Sequence, residues 1–370
     1  MEKDFLIAYR QNIASCLKND FKDNWDERRF GAENQIEQPD ARQQIKKSIK
    51  NLLAVVGLYE LNDPIKHSVA LLEPNVEQFQ WIYQRLVDDE SRQLLVQLIS
   101  FRALGYRHVK LPLNNPEYWK VVEDAERLGE GRDTIDFGWG GRKACNVDLS
   151  SIGYSIVIFF PPFAITTVFV FNQYECRLAD KVIKAEAGDI VIDAGGCYGD
   201  TALYFAHEVG IKGRVYSFEF MPESLAIFQQ NMALNRELSQ RIDLVRRAVW
   251  SQSGAQLFIE GSGPGTRVRT KASRPDATRV ETLTIDDLAS NKNLNSVDFI
   301  KMDIEGAELE ALRGAENTIR QFRPKLAISV YHNFNDLWEI PKYIDSLGLG
   351  YRFALRHFTI HAEETVLFAY

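Results

Sequence analysis

Asp189–Thr201 reads DIVIDAGGCYGDT. Its opening, Asp189–Asp193, is short and apolar enough to predict a buried strand, and Asp200 to Val209 predicts a helix. Between them Asp193, Gly195 and Gly199 are spaced D-x-G-x-x-x-G. Glycines at a strand-to-helix turn let the backbone bend sharply and approach a ligand closely. The N–H groups that open the following helix are a natural receiver for an anion. Asp200 and Thr201 stand at that helix start, where a capping oxygen is expected in any case.

Outward from this turn, strands and helices alternate, the mark of a mostly parallel sheet. Arg214–Glu219 (RVYSFE) predicts the second strand, and Pro222 opens a helix to about Asn235. Asp243–Val249, Val297–Asp303 and Lys325–Tyr331 predict three more strands, with a helix from Gly306 to about Phe322 and another near Pro341–Leu347. Tyr351–His357 and Thr365–Tyr370 complete seven. The expected fold is a doubly wound, Rossmann-like α/β domain of seven strands; with its final pair it resembles the methyltransferase version of that fold, which implies an antiparallel last strand. Glu219 closes the second strand 26 residues after Asp193, where a carboxylate can accept hydrogen bonds from two ribose hydroxyls.

The first half reads mainly helical. Pro74–Val87 places Val76, Phe79, Ile82, Tyr83 and Leu86 on one helical face. Asp88-Asp89 caps a second helix that runs to about Leu104 and stops at Gly105. Residues 105–150 read as irregular, and Gly138-Trp139-Gly140-Gly141 as a plain loop without the ending of a phosphate loop. Ile156–Phe171 (IVIFFPPFAITTVFVF) is shorter than the roughly 20 residues of a membrane span and is split by Pro161-Pro162. Its β-branched and aromatic content predicts a hairpin turning at the prolines. The expected organisation is a helical domain over 1–150, the hairpin and connector over 151–180, and the α/β domain over 181–370.

Composition bounds the partners. A net charge of −7 with 26% charged residues argues against nucleic acid, whose phosphates call for a basic surface. Four scattered cysteines fit a reducing cytoplasm better than a disulfide framework. The opening MEKDFLIAYR lacks the apolar core of a secretory signal, so a cytoplasmic protein is expected.

The D-x-G-x-x-x-G turn resembles the first motif of class I methyltransferases. It differs from the G-x-G-x-x-G of nicotinamide domains in holding Asp193 at the first glycine's place. Val297–Ala315 (VDFIKMDIEGAELEALRGA), Arg323–His332 (RPKLAISVYH), FEFMPES at the second strand and Thr282–Leu288 (TLTIDDL) together resemble the FkbM family of methyltransferases. The resemblance is close from about Gly188 to Tyr370. Leu86–Arg102 and Leu111–Asn115 look like the helical segment of longer members. It implies S-adenosylmethionine as cofactor, held at Asp193, Gly195, Gly199, Asp200, Thr201 and Glu219. It also implies O-methylation of a sugar or natural-product hydroxyl. The family's usual Glu-Pro after the second strand is here Glu219-Phe220-Met221-Pro222. The alternatives are N- or carboxyl methylation of a small molecule, and a cofactor-binding module without turnover that docks a partner.

Methyl transfer from a sulfonium needs in-line placement and, for a hydroxyl acceptor, a base. Asp303, His332 and His357 end the fourth, fifth and sixth strands at the edge where such sheets bind ligands, and are the candidate catalytic residues. A divalent ion bridging Asp303, Glu305 and a histidine is chemically reasonable but less favoured than a metal-free site. Glu308 and Glu310 read as a solvated helix face. Ala255–Leu288 reads as a basic loop over the acceptor site, with Arg267 the candidate to face the acceptor. Phe160-Pro161-Pro162-Phe163 reads as a turn and Trp250 as core.

Overall fold

Every residue of Ile190–Ala194 (β1) but the first is buried, as a central parallel strand with helices on both faces requires. We describe a computed structural model of the chain, over residues 3–31, 72–136, 143–260, 267–269 and 279–370, with the backbone alone for Phe30, Glu260, Arg267 and Val268. Around β1 stand Arg214–Phe218 (β2), Ile242–Val245 (β3), Phe299–Met302 (β4), Lys325–Ser329 (β5), Phe353–His357 (β6) and Thr365–Ala369 (β7). The sheet order is β6-β7-β5-β4-β1-β2-β3. Strand β7 runs antiparallel to both β5 and β6, and the other pairings are parallel. This is the class I methyltransferase sheet, with the antiparallel last strand that the resemblance implies. Its register sets Asp193 opposite Lys301 on one side and Ser217 on the other.

Several local expectations are corrected. The apolar stretch is no hairpin. Val157–Phe160 is a strand, but after Pro161 the chain forms a helical turn over Pro162–Ile165 and a π-helix over Thr166–Val170. Thr166 to Phe169 are all buried, so no polar face betrays a helical period and local β-propensity is overridden. The third strand ends at Val245. Ala248–Val249 instead joins a small four-stranded sheet with Gln256–Glu260, Arg267–Arg269 and Arg279–Leu283. Trp250 packs against that sheet's apolar cluster. The helix expected from Gly306 to Phe322 is two, Glu308–Arg313 and Glu316–Phe322. They part at Gly314, where a Cβ would stand 2.1 Å from the Trp250 carbonyl oxygen.

The chain forms two compact units. One comprises Met1–Gln84, Arg92–Asn114 and Ile360–Ala362. In it, the ring of Phe5 on the helix Asp4–Cys16 stacks on Phe79 of the helix Val76–Arg85 at 5.2 Å. Asn12 donates to the Ser100 hydroxyl, which lies on the helix Asp89–Leu104. The other comprises Arg85–Ser91, Asn115–Thr359 and Glu363–Tyr370 and holds the seven-stranded sheet. It contains a helix, Pro116–Gly129, inside the stretch read as irregular. The signals were present: Asn115 accepts from the Tyr118 N–H as N-cap, and Pro116 opens the first turn. Gly138–Gly141 lies outside the described residues. Among the described residues no helix is long and apolar enough to cross a membrane.

Candidate active site

The sheet register builds the first part of the site. Asp193, fully buried, accepts from the Thr201 hydroxyl at 3.0 Å and the Ser217 hydroxyl at 2.7 Å. Its Oδ1 lies 3.0 Å from Nζ of Lys301, whose side chain is 1% exposed. Lys301 also donates to the Gly195 carbonyl, so one ammonium ties the strand-end carboxylate to the glycine turn. Gly195 and Gly196 both donate backbone N–H groups to the Phe218 carbonyl. Gly195 has φ +90°, and a Cβ on it would stand 2.0 Å from the Asp303 carbonyl oxygen. No other residue fits there.

Gly199, at φ +83°, leads into the helix Asp200–Glu208. Thr201 turns its hydroxyl back to Asp193 and so fastens the turn rather than capping the helix. Asp200 is buried, and its Oδ1 has no hydrogen-bond partner. Burial pushes its carboxyl up to about 7, against the pull of Lys301. Glu219 follows β2 and accepts the N–H groups of Phe220 and Met221 on Oε1, at 2.6 and 2.7 Å. The residues that depart from the family's Glu-Pro thus fold around the carboxylate. Burial pushes Glu219 up to about 7, opposed by those N–H groups.

A second group of charges gathers after β4 and β5. The Asp303 N–H donates to Ala194 at 3.1 Å, and its Oδ1 accepts from the Tyr331 hydroxyl at 3.1 Å. Nε2 of His332 lies 3.4 Å from Asp303 Oδ1 and 3.6 Å from Glu305 Oε2, and its Nδ1 lies 3.0 Å from Glu308 Oε1. Glu308 Oε1 also accepts the Ile304 N–H at 2.8 Å. Burial alone would lower the His332 imidazole, but the Glu308, Asp303 and Glu305 carboxylates outweigh it and push it up to about 10. Glu305, held at φ +57°, is pushed up to about 8, chiefly by burial.

Glu308 is a correction to the solvated-face reading: its side chain is 1% exposed. It shares a helix face with the buried Ala311 and Leu312, a spacing of three and four residues that the sequence displays. Lys301 was also missed. A lysine in the middle of an otherwise apolar central strand calls for a buried partner, and Asp193 is that partner.

His357 ends β6, one strand outward from β7, with Nδ1 2.9 Å from the Thr365 hydroxyl. Strand β7 thus lies between it and the strand that leads to His332. Arg267 opens a strand of the small sheet, opposite Glu260, and its side chain lies outside the described residues. The segments 261–266 and 270–278 of the expected basic loop are likewise outside them.

Residues 193–353 match the methyltransferase FkbM domain. Hexuronic acid methyltransferase AglP of Haloferax volcanii is 24% identical over 137 residues, 37% of this chain and 54% of that protein. The chain thus spans about half the length of this curated relative. The crystal structure of methyltransferase FkbM from Methylobacillus flagellatus KT superposes with a TM-score of 0.51 at 21% identity, covering 90% of this chain and 71% of that one. The chain therefore carries, over residues 193–353, a methyltransferase domain of the FkbM family.

Proposed function

We propose that this chain transfers the methyl group of S-adenosylmethionine to a hydroxyl of a sugar. The observation that carries the reading is the direct backbone contact between the Gly195 turn and Asp303, which joins a cofactor-type turn to a charged strand-end cluster. The residues present fit the cofactor: glycine is obligatory at Gly195, Asp200 Oδ1 is buried and unpartnered, and Glu219 is held rigidly by two N–H groups. Asp193, Lys301, Thr201 and Ser217 fasten the turn, and Glu219 takes the ribose hydroxyls. When bound, the cofactor supplies a methyl group on a good leaving group, a sulfonium that departs as a neutral thioether.

Asp303 takes the acceptor's proton as the acceptor oxygen bonds to the methyl carbon; the greater exposure of its side chain, 20% against 7% for His332, supports that role. Tyr331 and His332 hold that carboxylate in place. A sugar acceptor is supported by the similarity to the hexuronic acid methyltransferase of Haloferax volcanii. The test is turnover of radiolabelled cofactor on a panel of free sugars, sugar acids and glycans, with a matched panel of amines. Label on a sugar hydroxyl is the expected result. Label on amines alone, or cofactor binding without transfer to any member, overturns the reading.

A further inference from the structure

The cluster after β4 and β5 has an imbalance that the hydroxyl-methylation reading leaves unused. Among the described residues, the one cation at ion-pair distance from Asp303, Glu305 or Glu308 is His332. Three carboxylates therefore surround a single imidazole. The fold compensates the buried carboxylate of Asp193 with a lysine and two hydroxyls; Asp303 has the hydroxyls of Tyr331 and Tyr174, but among the described residues no lysine or arginine stands at ion-pair distance from this cluster. Donor atoms of Asp303, Glu308 and His332 all lie within 4.8 Å of one another.

A second observation points to a ligand. Glu308 Oε2 is buried without a hydrogen-bond partner, and so are both ring nitrogens of His332, whose contacts to the carboxylates miss hydrogen-bond geometry. Buried polar atoms left in that state are uncommon and costly. All three atoms lie within this one cluster.

We propose that Asp303, Glu308 and His332 bind one divalent cation of the magnesium–manganese class, with Glu305 at its rim. Two carboxylates and an imidazole suit such an ion. Bonds of ~2.1 Å put neighbouring ligand atoms about 3 Å apart, so small side-chain rotations close the set. The phenols of Tyr331 and Tyr174, 3.1 and 3.5 Å from Asp303, would orient that ligand. Three protein donors leave coordination positions open, and since Asp303 gives the ion one oxygen, its other oxygen remains to take the acceptor's proton. Resting on the hydroxyl-methylation reading, the acceptor class sharpens to one offering two adjacent oxygens, a vicinal diol or the hydroxyl and carboxylate of a sugar acid.

Binding of Mn²⁺ to the full chain, followed by the loss of its free paramagnetic resonance signal, tests the site without any turnover. Cofactor affinity measured by calorimetry on the same preparation stands apart from it. One saturable Mn²⁺ per chain is expected, weakened tenfold or more in Asp303→Asn and in Glu308→Gln. Asp303→Asn is the safer of the two to fold, since Asp303 is the more exposed. A chain that binds S-adenosylmethionine but takes up no Mn²⁺ below about 1 mM overturns the cation site while leaving the methyltransferase reading intact. Undiminished Mn²⁺ binding in folded Asp303→Asn overturns it as well.

Discussion

Two buried charge clusters sit at the same edge of the sheet, and they are built on opposite terms. Asp193, at the end of β1, meets two hydroxyls and a lysine, and the lysine also holds the carbonyl of the next turn. Asp303, just past β4, meets two further carboxylates around one histidine. In the first, every charge is answered and the result is a fixed turn. In the second, negative charge is left in excess at a partly open position. Buried pairs with complete partners contribute to defining one structure, whereas groups held away from their ordinary protonation are the mark of chemistry. The same residue type, aspartate, serves in both places, and its neighbours decide which role it takes.

The largest expected effect falls on the second cluster. Asp303→Asn should slow methyl transfer about 10²–10⁴-fold while cofactor affinity barely moves. His332→Ala should act in the same direction, and His357→Ala, one strand further out, should leave kcat near wild type. Pre-steady-state rates beside calorimetric affinities check all three. An equal loss in cofactor binding would erase the division between the clusters.

The first cluster should answer in stability. Lys301→Met leaves Asp193 as an uncompensated buried charge and should cost about 3–5 kcal/mol, read by urea denaturation. Adding Asp193→Asn to that variant should recover part of the loss. A double variant no more stable than Lys301→Met would mean that the lysine acts elsewhere.

Smaller effects belong to the cofactor carboxylate. Glu219→Gln should weaken S-adenosylmethionine binding by roughly 1–3 kcal/mol, the scale of charge-assisted hydrogen bonds. The Glu219 carboxyl is raised to about 7, and on the proposed reading its ionised form accepts both ribose hydroxyls. Affinity should therefore fall about tenfold from pH 8 to pH 6. Asp200 is raised to about 7 as well, so the glutamine variant separates the two. If it keeps the full pH dependence, Asp200 is the titrating group.

Much of this contrast is legible in the chain. The glycine spacing, Glu219, and the strand-end positions of Asp303 and His332 follow from short apolar runs whose ends are fixed by polar residues, which one-dimensional patterns convey well. Lys301 and Glu308 were harder, because each is a charged residue made internal by a partner far away in sequence. The π-helix at Thr166–Val170 was hidden for another reason: with Thr166 to Phe169 all buried, it carries no amphipathic period. Tertiary surroundings, absent from any local window, decide such segments.

Gly195 and Asp303 meet backbone to backbone, with no side chain between them. In any device that must hold two parts at a set gap, error accumulates over each compliant link, and side chains are the compliant links of a protein. Displacement of about one ångström can cost on the order of 10²-fold in a positioned reaction. Here the gap between the Gly195 turn and Asp303 is gauged by the pairing of β1 with β4, extended by the Asp303 N–H donating to Ala194 and braced by the Lys301 ammonium. On the proposed reading, side chains beyond Asp303 can then be exchanged to suit a different acceptor without resetting the distance over which the methyl group travels.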